Sequence, residues 1–178
     1  LTARISFAYS FLDYPDPMNM CLNVFFSGCD FRCKNCSNPD LQLPSEKFTE
    51  YNLQDCVEMI LAMSVKTKSD NICFIGGDPL STYNREFVKE LLKELATYED
   101  FKICVYTGYD VEMVKLMQLT NFTYLKCGKY EHDLRTTSGK TSDYMQFAST
   151  NQELYNANFE KLSNNGLYTF EKGSETHV

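Results

Sequence analysis

Cys29, Cys33 and Cys36 stand four and then three positions apart in the stretch Ser27-Gly28-Cys29-Asp30-Phe31-Arg32-Cys33-Lys34-Asn35-Cys36. As thiolates they are soft metal ligands. Three such ligands without an obvious fourth suit a 4Fe-4S cluster with one iron left open, and that arrangement points to redox chemistry. Other uses of the same residues explain less. Cys33-Lys34-Asn35-Cys36 alone matches a redox-active dithiol but leaves Cys29 unused. A structural zinc site wants four ligands, usually in two separated pairs, and only Cys21 lies near enough in sequence to complete the set. Core packing of all three is disfavoured by Asp30, Arg32, Lys34 and Asn35 around them.

A second group follows some forty residues later. Ile72-Cys73-Phe74-Ile75 reads as a buried strand and runs directly into Gly76-Gly77-Asp78-Pro79. The two glycines let backbone approach a ligand closely, Asp78 offers a carboxylate to a cationic group, and Pro79 stiffens the exit. Taken alone, the tetrapeptide is also an ordinary strand-to-helix turn.

Both groups need a scaffold that brings strand ends together. Leu22 to Phe26, Ile72 to Ile75, Ile103 to Tyr106 and Phe122 to Leu125 are short runs rich in Phe, Ile, Val and Tyr, and they predict buried strands. Between them, Leu53, Cys56, Val57, Ile60 and Leu61 recur at helical spacing within 51–63, with Asn52 as a candidate N-cap. Phe87, Val88, Leu91, Leu92 and Leu95 predict a second helix, and Val111, Val114 and Met117 a third. Alternating strands and helices imply a parallel sheet. The chain is too short for eight βα units, so the expected fold is α/β, a partial (open) parallel βα barrel of about five or six units. In such a sheet the cysteine loop, following a strand, lies at the carboxyl edge where ligands bind. The polar segment Glu131 to Asp143 reads as a surface loop.

The 178 residues are expected to form one domain, 1–178, with a frayed tail at 172–178. A net charge of −7 without a basic stripe argues against nucleic-acid binding. No run of about 18 apolar residues offers a membrane span, and Asp13, Pro15, Asp16 and Pro17 interrupt any signal-like apolar core, so the chain is expected in the cytoplasm. Eight cysteines in a chain this long do not suggest disulfide staples. Cys21, Cys56, Cys73, Cys104 and Cys127, set among apolar neighbours, read as small buried hydrophobes.

The three-cysteine spacing after a strand, joined to Gly76-Gly77-Asp78-Pro79, resembles the radical S-adenosylmethionine (SAM) enzymes. That resemblance implies that the methionyl group of SAM chelates the open iron and that an electron from the cluster cleaves its sulfonium C–S bond, yielding methionine and a 5'-deoxyadenosyl radical. It places Asn35, Cys36, Ser37, Gly76, Gly77, Asp78, Pro79 and Thr107 around SAM. Within the superfamily, Phe26-Ser27-Gly28-Cys29, Cys36-Ser37-Asn38-Pro39, Tyr106-Thr107-Gly108-Tyr109, Gly128-Lys129-Tyr130 and Ser149-Thr150-Asn151-Gln152 resemble, in order, the activating subunit of anaerobic (class III) ribonucleotide reductase. Cys127, where relatives carry Asp, and Phe147-Ala148 depart from that pattern. The resemblance implies a glycyl-radical partner, the large reductase subunit, and a low-potential electron donor such as flavodoxin or ferredoxin. No acid–base residue is then required, and His132 and His177 are expected to be solvated. Asn151 and Gln152 are open between ligand contact and structure. A small-molecule radical SAM enzyme, such as a 7-carboxy-7-deazaguanine synthase, and a zinc-binding module are the alternatives.

Overall fold

A computed structural model describes residues 1–17, 19–98 and 100–171, so the tail 172–178 and His177 lie outside the described residues. The chain opens with β1 (Thr2–Ser10) and β2 (Cys21–Phe26), paired antiparallel, and β3 (Thr49–Asn52) pairs with the other edge of β1. Helix α1 (Leu53–Thr67) follows at once, its N-terminus capped by Asn52, whose side chain accepts from the Asp55 amide at 2.8 Å. Then come β4 (Asn71–Gly76), α2 (Arg85–Leu95), β5 (Lys102–Thr107), α3 (Val111–Leu116, capped by Asp110) and β6 (Tyr124–Cys127).

Strands β2, β4, β5 and β6 run parallel, with a helix in each connection, as parallel pairing requires. After β6 come β7 (Gly139–Lys140), β8 (Tyr144–Gln146), β9 (Glu153–Asn156) and β10 (Leu167–Thr169). Strand β9 closes the far edge antiparallel to β6, giving the sheet order β3-β1-β2-β4-β5-β6-β9, while β10, β8 and β7 form a separate three-stranded sheet. The polar stretch 131–143 thus holds β7 and a short 3-10 turn, His132–Leu134, besides loop.

Period-two alternation decides what each face of the large sheet buries. Leu22, Val24 and Phe26, with Ile72, Phe74, Ile103, Val105 and Leu125, meet the apolar stripes of the helices, including Val57 and Ile60 of α1 and Phe87, Leu91 and Leu95 of α2. Burying each such side chain contributes about 1.5–3 kcal/mol. The opposite face carries Cys21, Cys73, Ile75 and Cys104 against Tyr14, with Phe25, Tyr106 and Tyr124 at its margin. Cys21, Cys56, Cys73, Cys104 and Cys127 are all buried free thiols. Lys140 draws the segment after β1 down onto this face. Its ammonium donates to the carbonyls of Phe11 and Tyr14 at 3.0 and 2.6 Å and lies 3.5 Å from the Asp16 carboxylate. Among the described residues, no helix is long and apolar enough to cross a membrane.

Candidate metal centre

The carboxyl ends of the parallel strands converge on one edge, the position where open α/β sheets bind ligands. Phe26 ends β2 and pairs with Gly76 at the end of β4, and Thr107 of β5 pairs with Cys127 of β6. The cysteine loop leaves β2 through Gly28, whose φ of +99° favours glycine. Its course is fixed by backbone bonds. The Gly28 and Cys29 amides donate to the carbonyls of Leu41 and Gln42 at 2.7 and 2.9 Å, while the Gly77 and Asp78 amides donate to those of Phe26 and Gly28 at 2.7 and 2.8 Å.

The glycine pair therefore packs against the cysteine loop as well as facing the cavity. A Cβ on Gly76 would meet the backbone of Phe26, and one on Gly77 would meet the carbonyls of Leu41 and Gly28. Asp78 lies beneath, 1% exposed. Its carboxylate accepts from the Leu80 amide at 2.8 Å, the Gly108 amide at 2.8 Å and the Thr107 hydroxyl at 3.1 Å, joining the ends of β4 and β5. Burial raises its pKa to about 6 despite these three donors.

Two clamps hold the assembly, and neither was legible as a motif. Asn84 is buried and donates its amide to the Ser27 carbonyl at 2.9 Å and the Asp78 carbonyl at 3.1 Å, bridging both motifs. Asp30 accepts from the Thr82 amide and hydroxyl at 2.9 and 2.8 Å and from the Tyr109 hydroxyl at 2.5 Å. Burial opposes ionisation of Asp30, but these bonds and nearby Arg85 outweigh it and lower the pKa.

One cavity of about 490 Å³ gathers the residues singled out from sequence. Cys29, Cys33 and Cys36 line it, as do Asn35, Ser37, Gly76, Gly77, Asp78, Pro79 and Thr107. The cysteine loop also reaches the segment after β6. Asn35, at φ +57°, places its side-chain amide 3.0 Å from Nε2 of His132, and Nδ1 of that ring is 2.9 Å from the Tyr130 hydroxyl. His132 is half-buried and bonded on both nitrogens, contrary to the expectation of a solvated ring. Gln152 and Asn151 brace the same segment, donating to the carbonyls of Gly128 at 3.1 Å and Lys129 at 2.9 Å.

The three thiols fit a shared inorganic group. Burial raises the Cys29 thiol to about 11, with Cys33 and Cys36 close enough to add repulsion, and burial followed by Cys36 raises Cys33. Thiolates crowded in this way need cationic metal to balance them. Backbone amides are aimed at two of the sulfurs, Phe31 at Cys29 and Asn38 at Cys36, each at 3.4 Å. Such bonds tune the potential of an iron-sulfur centre. Among the described residues, no three His, Cys, Asp or Glu side chains are gathered as a site for a single metal ion.

Residues 20–155 match the family model described as a 4Fe-4S single cluster domain, a span covering the cysteine loop and the whole parallel sheet. The chain belongs to that family. No curated protein matches it. In this 4Fe-4S single cluster domain, Cys29, Cys33 and Cys36 are the thiols that line the shared cavity.

Proposed function

We propose that this 4Fe-4S single cluster domain is a radical SAM activase that generates a glycyl radical on anaerobic ribonucleotide reductase. The observation that carries the reading is the shared cavity, which the three thiols and the Gly76–Pro79 turn line together at the carboxyl edge of the sheet. Bound by Cys29, Cys33 and Cys36, the cluster would supply the electron that cleaves SAM to methionine and a 5'-deoxyadenosyl radical.

The chain's own residues would hold the reactants at the carboxyl edge of the sheet. A cluster held by the three cysteines would keep one iron for the methionyl group, and the Gly76-Gly77-Asp78-Pro79 turn, with Asn35, Ser37 and Thr107, would line the space for the remainder of SAM. Asp78 acts from below: its carboxylate holds the Thr107 hydroxyl and Gly108 amide and so fixes the β5 end of the pocket. The large sheet is read as the wall of an open partial barrel, whose unclosed side admits a protein loop. A low-potential donor, flavodoxin or ferredoxin, would deliver the electron in the cytoplasm. The order of the Tyr106–Tyr109, Gly128–Tyr130 and Ser149–Gln152 blocks supports the activase over a small-molecule enzyme.

The test is made on anaerobically reconstituted protein reduced with dithionite. On adding SAM, 5'-deoxyadenosine should accumulate and the electron paramagnetic resonance signal of the cluster should change. Adding the reductase large subunit should then produce a glycyl radical signal. Iron-replete protein that leaves SAM intact would refute the chemistry; SAM cleavage without a radical on the reductase would refute the activase assignment.

A further inference from the structure

Beyond the thiols the cavity continues across the face of the sheet away from the helices, where Asp13, Phe25, Tyr106 and Lys126 line it. Lys126 is on β6 and points to the same face as Tyr124, with Leu125 and Cys127 turned into the helix-side core. Its ammonium sits 4.4 Å from the ring centroid of Tyr106 and 5.3 Å from that of Phe147. Aromatic faces attract a cation but do not neutralise it.

The Lys126 ammonium makes no hydrogen bond or ion pair with the described residues, although the backbone is paired within the sheet. The acidic residues that line the cavity, Asp13 and Asp78, form no ion pair with that ammonium. Asp13 accepts from the Asn23 side chain at 2.8 Å, and Asp78 holds Leu80, Thr107 and Gly108. A half-buried ammonium that faces a cavity with no anion in contact is costly, Asp13 offsetting only part of that cost from a distance, and the cost falls when an anion enters. Burial accordingly lowers the Lys126 pKa to about 8, which leaves the group mainly cationic at neutral pH.

We propose that Lys126 is a substrate-recognition residue, binding a carboxylate on the molecule that enters the cavity beyond the cluster. A carboxylate matches one ammonium charge; a phosphate dianion would carry surplus charge toward Asp13, whose field already reaches Lys126. Tyr106 and Phe147 flank the ammonium and hold the approach to a narrow, directional contact. The inference deepens the proposed function, since it rests on the cavity being where SAM and substrate meet, and it names the group by which the substrate is recognised.

The test is competitive labelling of the reconstituted, unreduced protein with SAM bound. Trace acetic anhydride at pH 8 acylates lysines, and mass spectrometry reports Lys126 relative to exposed Lys66. N-acetylglycine should lower Lys126 labelling several-fold, whereas N-acetylglycinamide, lacking the carboxylate, should not. Acetate and acetyl-triglycine extend the comparison to a free small carboxylate and a peptide terminus; protection by either supports the proposal. In titration calorimetry Lys126→Met should weaken N-acetylglycine binding by about tenfold or more, the loss expected for a charge-assisted bond, with Lys126→Arg retaining most of the affinity. Equal protection by acid and amide, or protection by none of the carboxylates, would overturn the proposal. So would complete protection by SAM alone, which would assign the ammonium to the methionyl carboxylate. Labelling is independent of turnover: wild-type protein that makes no 5'-deoxyadenosine sinks the proposed function, whereas SAM cleavage with an unprotected Lys126 sinks this inference alone.

Discussion

The amide of Asp78 donates to the carbonyl of Gly28 across 2.8 Å, tying the turn after β4 to the first residues of the cysteine loop. The two motifs are therefore one mechanical unit, and a change in either should be felt in both.

Gly77 tests that coupling most directly. A Cβ there would lie 2.6 Å from the Gly28 carbonyl oxygen and closer still to that of Leu41, and backbone cannot swing aside as a side-chain tip can. Gly77→Ala should destabilise the apoprotein by about 1–3 kcal/mol, the usual cost of overpacking, and lower iron and sulfide per chain after reconstitution. Gly139→Ala, with nothing within 4 Å of its new methyl, is the control and should change neither quantity. A variant at Gly77 with full stability and full cluster content would show that the glycine is needed only for ligand approach.

What was legible in the sequence follows physical rules. Strands β2, β4 and β5 match the apolar runs closely because both faces of these central strands are covered; the run at Phe122 to Leu125 lies two residues ahead of β6. Strands β1, β3 and β9 escaped because antiparallel strands near an edge carry mixed residues, as in the Thr-Glu-Tyr-Asn of β3. The thiols and glycines were readable as local patterns. Asn84 and Asp30 were not, since the bonds that tie them to the other motif, to Ser27 for Asn84 and to Thr82 for Asp30, span 57 and 52 residues of chain. Lys126 left only one signal, a charge inside a strand otherwise half-buried.

Asn84 should be the most sensitive of these hidden positions. Asn84→Ala would leave the buried carbonyls of Ser27 and Asp78 without this donor, a loss of about 1–3 kcal/mol by urea unfolding. Asn84→Asp should be worse, because a carboxylate would confront those carbonyl oxygens. If Asn84→Asp proved the milder change, the hydrogen-bond assignment would be wrong.

Asp78 should leave a signature in the pH dependence of stability. Its pKa rises from the ordinary 3.8 to about 6 on folding because burial penalises the charge. The folded state then binds more protons than the unfolded state between these values, so the contribution is complete below about pH 4 and is lost as pH rises through about 6. Two units correspond to about 3 kcal/mol as an upper bound. Asp78→Asn does not titrate, so the stability of wild type minus that of the variant should fall from pH 4 to pH 6 and level off above. A difference that grows with pH would mean that the three donors, and not burial, dominate at this carboxylate.

Cys29, Cys33 and Cys36 should differ sharply from the remaining thiols. Replacing any one of the three by Ala should remove most iron and abolish SAM cleavage, whereas Cys56→Ala, in the helix-side core, should cost stability and leave cluster content intact. Full SAM cleavage in Cys29→Ala, Cys33→Ala or Cys36→Ala would refute the ligand assignment.

Asn35 and His132 join the cysteine loop to the segment after β6, and their bond should govern how well the cluster is retained. With the Asn35 amide nitrogen facing the ring, Nε2 of His132 accepts and Nδ1 carries the proton toward the Tyr130 oxygen. His132→Ala removes both bonds without touching a ligand, so the reconstituted protein should start with full iron but lose it several-fold faster to a chelator. Asn35→Gly keeps the left-handed backbone at φ +57° and removes only the side chain, and should show the same acceleration. Asn35→Ala adds backbone strain to the lost bond and should be faster than either. Equal iron-release rates in wild type, His132→Ala and Asn35→Gly would show that the contact is incidental and that the loop is held by Leu41, Gln42 and Asn84 alone.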